Sequence, residues 1–130
     1  MVNFAPLLAF LLCCCISSTT VLADEWKYSG VGRIVAVSDL HGAYDAAVAT
    51  FQRAGIIDNN LSWVGGETNL VITGDLLDRG ADSRKVMDLI MQLEREAARA
   101  GGQVHQLLGN HEVMNLIGDV RYVADGEYAA

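Results

Sequence analysis

Beyond residue 15 the sequence has no cysteine: its three, Cys13, Cys14 and Cys15, are consecutive and sit inside one apolar run. A disulfide framework or a zinc–thiolate site needs cysteines in the folded part of a chain, so neither is expected and no redox chemistry follows. Leu12 stands where a lipid-attachment site at Cys13 would have a small residue, so the cysteines read as apolar filler. Positive charge is also scarce. Nine Lys and Arg against sixteen Asp and Glu leave a net charge of −7, and no basic stripe or cluster interrupts it. That balance excludes broad binding to nucleic acid or to an anionic membrane. It does not exclude a phosphorylated substrate, because metal ions can supply local positive charge.

Long apolar runs are missing too. The longest, Phe4 to Ile16, falls short of the ~20 apolar residues that a spanning helix needs, so no stable membrane span is expected in the mature chain. Val21-Leu22-Ala23 before Asp24 resembles a small-residue cleavage site, although no Lys or Arg precedes the run. Residues 1–23 therefore read as a signal peptide, with an uncleaved anchor or a buried helix as the alternatives, and 24–130 as one exported domain, secreted, periplasmic or in the secretory pathway. Repeats and low-complexity segments are absent. With one proline in 130 residues, 52% apolar and 19% charged, the composition is that of a single globular domain and not of a collagen-like or disordered chain.

What remains is a rhythm of strand, loop and helix, the pattern of an α/β domain with a largely buried sheet. Ile34 to Val37 predicts a first strand, and a helix from about Ala43 to Ala54 follows, with Gly55 as its stop. A turn-rich connection with Asn59-Asn60 and Gly65-Gly66 surrounds a short extended piece at Leu61 to Val64. Leu70 to Thr73 predicts a second strand. Val86, Leu89, Ile90, Leu93 and Ala97 recur at helical spacing and mark a core stripe, which leaves Met87 and Met91 without a functional role. Gly101-Gly102 ends that helix, and Val104 to Leu108 supplies a third strand.

Each predicted strand ends in a polar cluster: Asp39-Leu40-His41, Gly74-Asp75-Leu76-Leu77-Asp78-Arg79-Gly80, and Gly109-Asn110-His111-Glu112. In open α/β sheets ligands sit in the crevice outside the carboxyl ends of the strands. Asp39 and His41 are two apart, so in an extended segment their side chains point to one side and converge on one cation. A carboxylate with an imidazole suits a first-row divalent metal better than calcium or magnesium. Taken without the other motifs, an Asp-x-His pair reads better as a hydrogen-bonded loop pair. Asp75 needs a partner in a desolvated crevice, and a bridging position between two metals would provide one. Arg79 has the planar fork that matches phosphate oxygens, with a surface ion pair to Asp78 as the alternative. Asn110 offers an oxygen to a metal or an amide to phosphate. Histidine at 111, with an ordinary pKa of about 6.5, suits proton donation near neutral pH. Glu112 reads as a helix-start acid or an orienting partner, and His105 as a structural strand histidine.

Together the three motifs resemble the calcineurin-like metallophosphoesterase superfamily, in particular its phosphoprotein phosphatase branch, over about residues 34–123. Arg79 after Asp78 and Glu112 after His111 point to that branch. The run Leu107 to Asn115 with the signal-like start looks most like the bacterial-type Shewanella-like phosphatases. The resemblance implies the N-terminal part of a β-sandwich flanked by helices in αββα layers. It also implies a two-metal centre of manganese, iron or zinc, with Asp39 and His41 on the first ion, Asp75 bridging and Asn110 on the second. Arg79 and Asn110 would hold the phosphate, and His111, oriented by Asp78, would protonate the leaving oxygen while hydroxide attacks phosphorus. The substrate would be a phosphoprotein or a small phosphoester, and diadenosine tetraphosphatase-like hydrolysis is a variant. The family pattern continues with two further histidine ligands and usually a second phosphate-binding arginine. No histidine follows His111 here. A fragment with an incomplete second metal site, binding metal or phosphate without ordinary turnover, is therefore the competing expectation. Oligomeric state is left open.

Overall fold

The computed structural model describes residues 27–129. The proposed signal peptide and the three cysteines lie outside the described residues. In chain order the elements are β1 (Ile34–Val37), α1 (Tyr44–Arg53), β2 (Asn69–Ile72), α2 (Ser83–Arg99), β3 (Gln103–Gln106), α3 (Asn110–Leu116) and a short 3-10 turn at Asp125–Ala129. The strands form one parallel sheet in the order β1-β2-β3. Each helix crossover returns the chain to the same end of the sheet, as parallel pairing requires. No helix of the described residues is long and apolar enough to cross a membrane.

Register sorts the strand residues onto two faces. Val35 pairs with Leu70 and Leu70 with Val104, while Val37 pairs with Ile72 and Ile72 with Gln106. That row faces α1 and α2. Leu70 and Ile72 are fully buried with Phe51 and Ala47 of α1 and with Val86, Leu93 and Ala97 of α2, and Leu89 and Ile90 are nearly so. Burying each such Leu, Ile or Phe contributes about 1.5–3 kcal/mol, so this face holds the domain together. The periodic stripe in α2 is thus core along its whole length, and the exposed Met91 lies off it.

The opposite row, with Ile34, Ala36, Asn69, Val71, Gln103 and His105, has no helix over it among the described residues. Ile34 is 63% exposed, so the expectation of a largely buried sheet holds for one face only among the described residues. One sheet of the αββα arrangement is present among them. His105 is a strand histidine: its Nε2 lies 2.8 Å from Asn69 Oδ1 and its ring meets Tyr28 edge-on.

The expected third strand and the expected extended piece at Leu61 to Val64 differ in extent. β3 stops at Gln106, because β2 has already ended at Ile72, whose carbonyl accepts the last ladder bond from Leu107 N–H at 2.9 Å. Leu61 to Val64 is not a strand. A single antiparallel bridge joins Ile57 to Trp63. The Asp58 carboxylate accepts the N–H groups of Asn60 and Ser62 and closes a turn, and Leu61 has a φ of +62°, which no extended run tolerates.

Helix ends follow the residues around them. Gly55, with φ +64°, receives the chain after α1. At the start of α2 the Asp82 side chain makes no capping bond. Glu127, from the 3-10 turn, takes that place instead: its Oε1 accepts the Ser83 N–H at 2.6 Å.

Candidate metal centre at the strand ends

Because the strands are parallel, their carboxyl ends share one rim, and Asp39, Asp75 and Asn110 all follow directly from it. Four backbone bonds lace the first two loops together, from His41 N–H to Asp75 O (2.9 Å), Gly42 N–H to Leu76 O (2.8 Å), Gly80 N–H to His41 O (2.9 Å) and Asp82 N–H to Gly42 O (3.2 Å). The loops can touch because of their glycines. A Cβ on Gly42 would lie 2.8 Å from the Gly80 carbonyl oxygen, and one on Gly109 would lie 2.7 Å from the Asp75 carboxyl carbon.

Six described non-glycine residues have positive φ, and five of them are in this rim: Asp39 (54°), His41 (43°), Asp75 (57°), Asp78 (72°) and Arg79 (65°). Left-handed backbone costs an L-residue roughly 1–2 kcal/mol, with Asp at the low end. The expectation that Asp39 and His41 converge by strand alternation is therefore incorrect. They converge because both have left the extended region, and the loop turns them toward Asp75.

One ligand atom from each of Asp39, His41 and Asp75 lies within 4.8 Å of the others. His41 Nδ1–H donates to the Leu77 carbonyl at 2.9 Å. That bond leaves Nε2 as the ring nitrogen turned toward the site, the arrangement common in metal-ligating histidines. His41 Nε2 is buried without a hydrogen-bond partner, and it stands 3.4 Å from Asp39 Oδ1. The hydrogen bond from Ser38 holds the Asp39 carboxyl below the usual carboxylate range against the effect of burial, and His41 and Arg79 add to it. An imidazole nitrogen and two carboxylates facing one another form a donor set that a divalent cation fits.

Beside this trio lies a buried imidazole–carboxylate pair. His111 and Asp78 are each 2% exposed, and His111 Nδ1–H donates to Asp78 Oδ2 at 2.6 Å. Asn115 Nδ2 donates to Asp78 Oδ1 at 2.9 Å and to the His111 carbonyl at 3.0 Å. Asp78 is thus not the exposed partner of Arg79 that a surface ion pair would require. Arg79 is exposed, and its Nη2 lies 3.2 Å from His111 Nε2, so that nitrogen accepts from the guanidinium. The Arg79 N–H donates to Tyr122 O at 2.8 Å, and the rings of Tyr122 and His41 lie 5.3 and 4.7 Å from that of His111.

Asn110 is exposed at the start of α3, between Gly109 and His111, whose N–H donates to Asp75 Oδ1 at 3.0 Å. Glu112 is a buried helix-start acid that accepts the Gly109 N–H at 2.7 Å. Burial opposes its ionisation, but backbone N–H donors from Asp75, Gly109, Leu76 and Leu77 outweigh it and keep its carboxyl below the usual range. Asn115 and Tyr122 were not identifiable as site residues by motif. For Asn115 a signal existed, since it stands four residues past His111 on one helix face; for Tyr122 there was none.

Residues 32–129 match the family described as Calcineurin-like phosphoesterase. The chain belongs to that family. Among calcineurin-like phosphoesterases it is 47% identical over 99 residues to Shewanella-like protein phosphatase 2 of Arabidopsis thaliana, which covers 76% of this chain and 25% of that protein. It is 32% identical to Shewanella-like protein phosphatase 1 of Plasmodium berghei, over 75% of this chain and 28% of that one. The fold resembles the crystal structure of the cold-active protein-tyrosine phosphatase of a psychrophilic Shewanella species, with a TM-score of 0.72 and 45% identity over 74% of this chain and 29% of that one. The chain spans between a quarter and a third of the length of these relatives. Its calcineurin-like motifs all fall on the rim described above.

Proposed function

We propose that this chain supplies the metal- and phosphate-facing part of a divalent-metal-dependent phosphatase acting on phosphoprotein or a small phosphoester. The observation that carries the reading is the buried, unpartnered Nε2 of His41, pointed among Asp39 and Asp75. Those three side chains would hold one cation, and Asp75 with Asn110 would hold a second. Cations held there would supply Lewis acidity and neutralise phosphate charge. Arg79, exposed beside His111, is free to turn its fork onto phosphate oxygens, and Asn110 joins it. When Arg79 turns, His111 Nε2 is uncovered toward the site. Asp78 and Asn115 fix the ring, so a proton carried on Nε2 is aimed at the leaving oxygen of the ester. The phosphoprotein substrate rests on the names of the phosphatase relatives, one of them a protein-tyrosine phosphatase.

A second reading is favoured by the ligand set. Among the described residues the His, Asp and Glu side chains make one three-ligand group, Asp39, His41 and Asp75. Such a unit binds metal and phosphate with little turnover.

Titration of the purified chain with Mn2+, followed by hydrolysis of p-nitrophenyl phosphate, tests both. Metal binding that weakens by more than about 100-fold in Asp75→Asn is expected. Metal-dependent turnover lost in the same variant selects the phosphatase reading, and binding without turnover selects the second. Binding indifferent to Asp75→Asn overturns both.

A further inference from the structure

Glu112 makes more bonds than a helix start requires. Capping α3 uses one of them, from the Gly109 N–H to Oε2. Three others go to a segment 35 to 37 residues away: the Asp75 N–H donates to Oε2 at 2.7 Å, and the Leu76 and Leu77 N–H groups donate to Oε1 at 2.8 and 3.2 Å. The side chain is 8% exposed, so water does not compete for these donors.

The peptides it grips are those that carry the metal ligands. Asp75 is held by its own amide, in a left-handed conformation it would not choose alone. Leu77 is held by its N–H while its carbonyl accepts the proton of His41 Nδ1. Gly109 immediately precedes Asn110. We infer that Glu112 is a positioning residue for the metal centre, aligning Asp75 and Asn110 directly and fixing the His41 tautomer through the Leu77 peptide. It rests on the metal-site reading above, but its effect on the His41 ring does not need a metal.

A carboxylate fits this place because it only accepts. In Glu112→Gln one oxygen becomes an NH2 group that points at either the Asp75 and Gly109 amides or the Leu76 and Leu77 amides, and one pair loses its acceptor. The test compares wild type, Glu112→Gln and Leu93→Ala as full chains. Leu93→Ala weakens the core without touching the rim. Co2+ affinity is read by absorption, and the tautomer of His41 by nitrogen NMR of the metal-free protein, where only three histidines give signals.

Glu112→Gln is expected to weaken Co2+ binding by about 10–100-fold and to mix the two neutral forms of His41. Leu93→Ala is expected to leave both unchanged in its folded fraction. A Glu112→Gln protein that loses stability but keeps the wild-type Co2+ affinity and a pure His41 tautomer overturns the inference and makes Glu112 an ordinary cap. If wild type itself does not bind Co2+, the metal reading fails, while the tautomer still decides the role of Glu112. Glu112→Asp, which keeps the charge but shortens the reach, carries the same two measurements if Glu112→Gln does not fold.

Discussion

The interior beneath the helices and the rim at the strand ends are made by the same three strands on opposite terms. The interior is apolar, with Leu70, Ile72, Phe51, Val86 and Leu93 removed from solvent on ordinary strand and helix backbone. The rim buries a histidine and two carboxylates, His111, Asp78 and Glu112, and places five L-residues in the left-handed region. Strained backbone of this kind persists only where its surroundings over-determine it. Stability is thus concentrated in one region and chemistry in the other, and the rim keeps its conformation because the interior can offset its cost.

The largest effect separating the two comes from Phe51→Ala. Deleting that fully buried ring costs about 3–5 kcal/mol, read as a lower urea midpoint, while the metal affinity of the folded fraction stays as in wild type. An affinity that falls in step with stability would show that the two regions are not separable.

Acid acts on the rim from the other side. The Glu112 carboxyl titrates below its ordinary 4.5 in the folded chain. The unfolded chain therefore binds the proton more readily, and the stabilisation from this group is complete above that value and lost as pH falls through the folded pKa. The metal-free wild type is expected to lose melting temperature below about pH 4.5 more steeply than Glu112→Gln. Parallel curves would remove Glu112 from the acid response.

The smallest effect is a gain. Asp39→Gly relieves the left-handed backbone at φ 54°, and the unfolded-state freedom of glycine takes back part of the benefit, leaving at most about 1 kcal/mol of added stability. Metal affinity falls in the same variant. A destabilised Asp39→Gly protein would mean that position 39 carries no strain.

Much of the interior was legible in the sequence because it depends on local periodicity. β1 lies where the β-branched run predicts it, and each of Val86, Leu89, Ile90, Leu93 and Ala97 is buried. The site residues were legible as types and positions, since Asp39, His41, Asp75, Asp78, Arg79, Asn110 and His111 stand in compact motifs. How they come together was not. The convergence of Asp39 and His41 depends on φ values that residue identity does not encode for Asp and His, and the bonds of Glu112 reach 35 to 37 residues back. Tyr122 and Glu127 act through one backbone carbonyl and one cap, neither of which leaves a pattern in the chain.

The order β1-β2-β3 in space is the order of synthesis. A chain emerging amino end first can therefore add each strand to the one already laid down, without holding an edge open for a segment still to be made. Asp39 and His41 are delivered with the first unit, Asp75 and Asp78 with the second, and Asn110, His111 and Glu112 only with the third. The residues of α3 that grip the Asp75 loop are thus made after both of the loops that carry Asp39, His41 and Asp75.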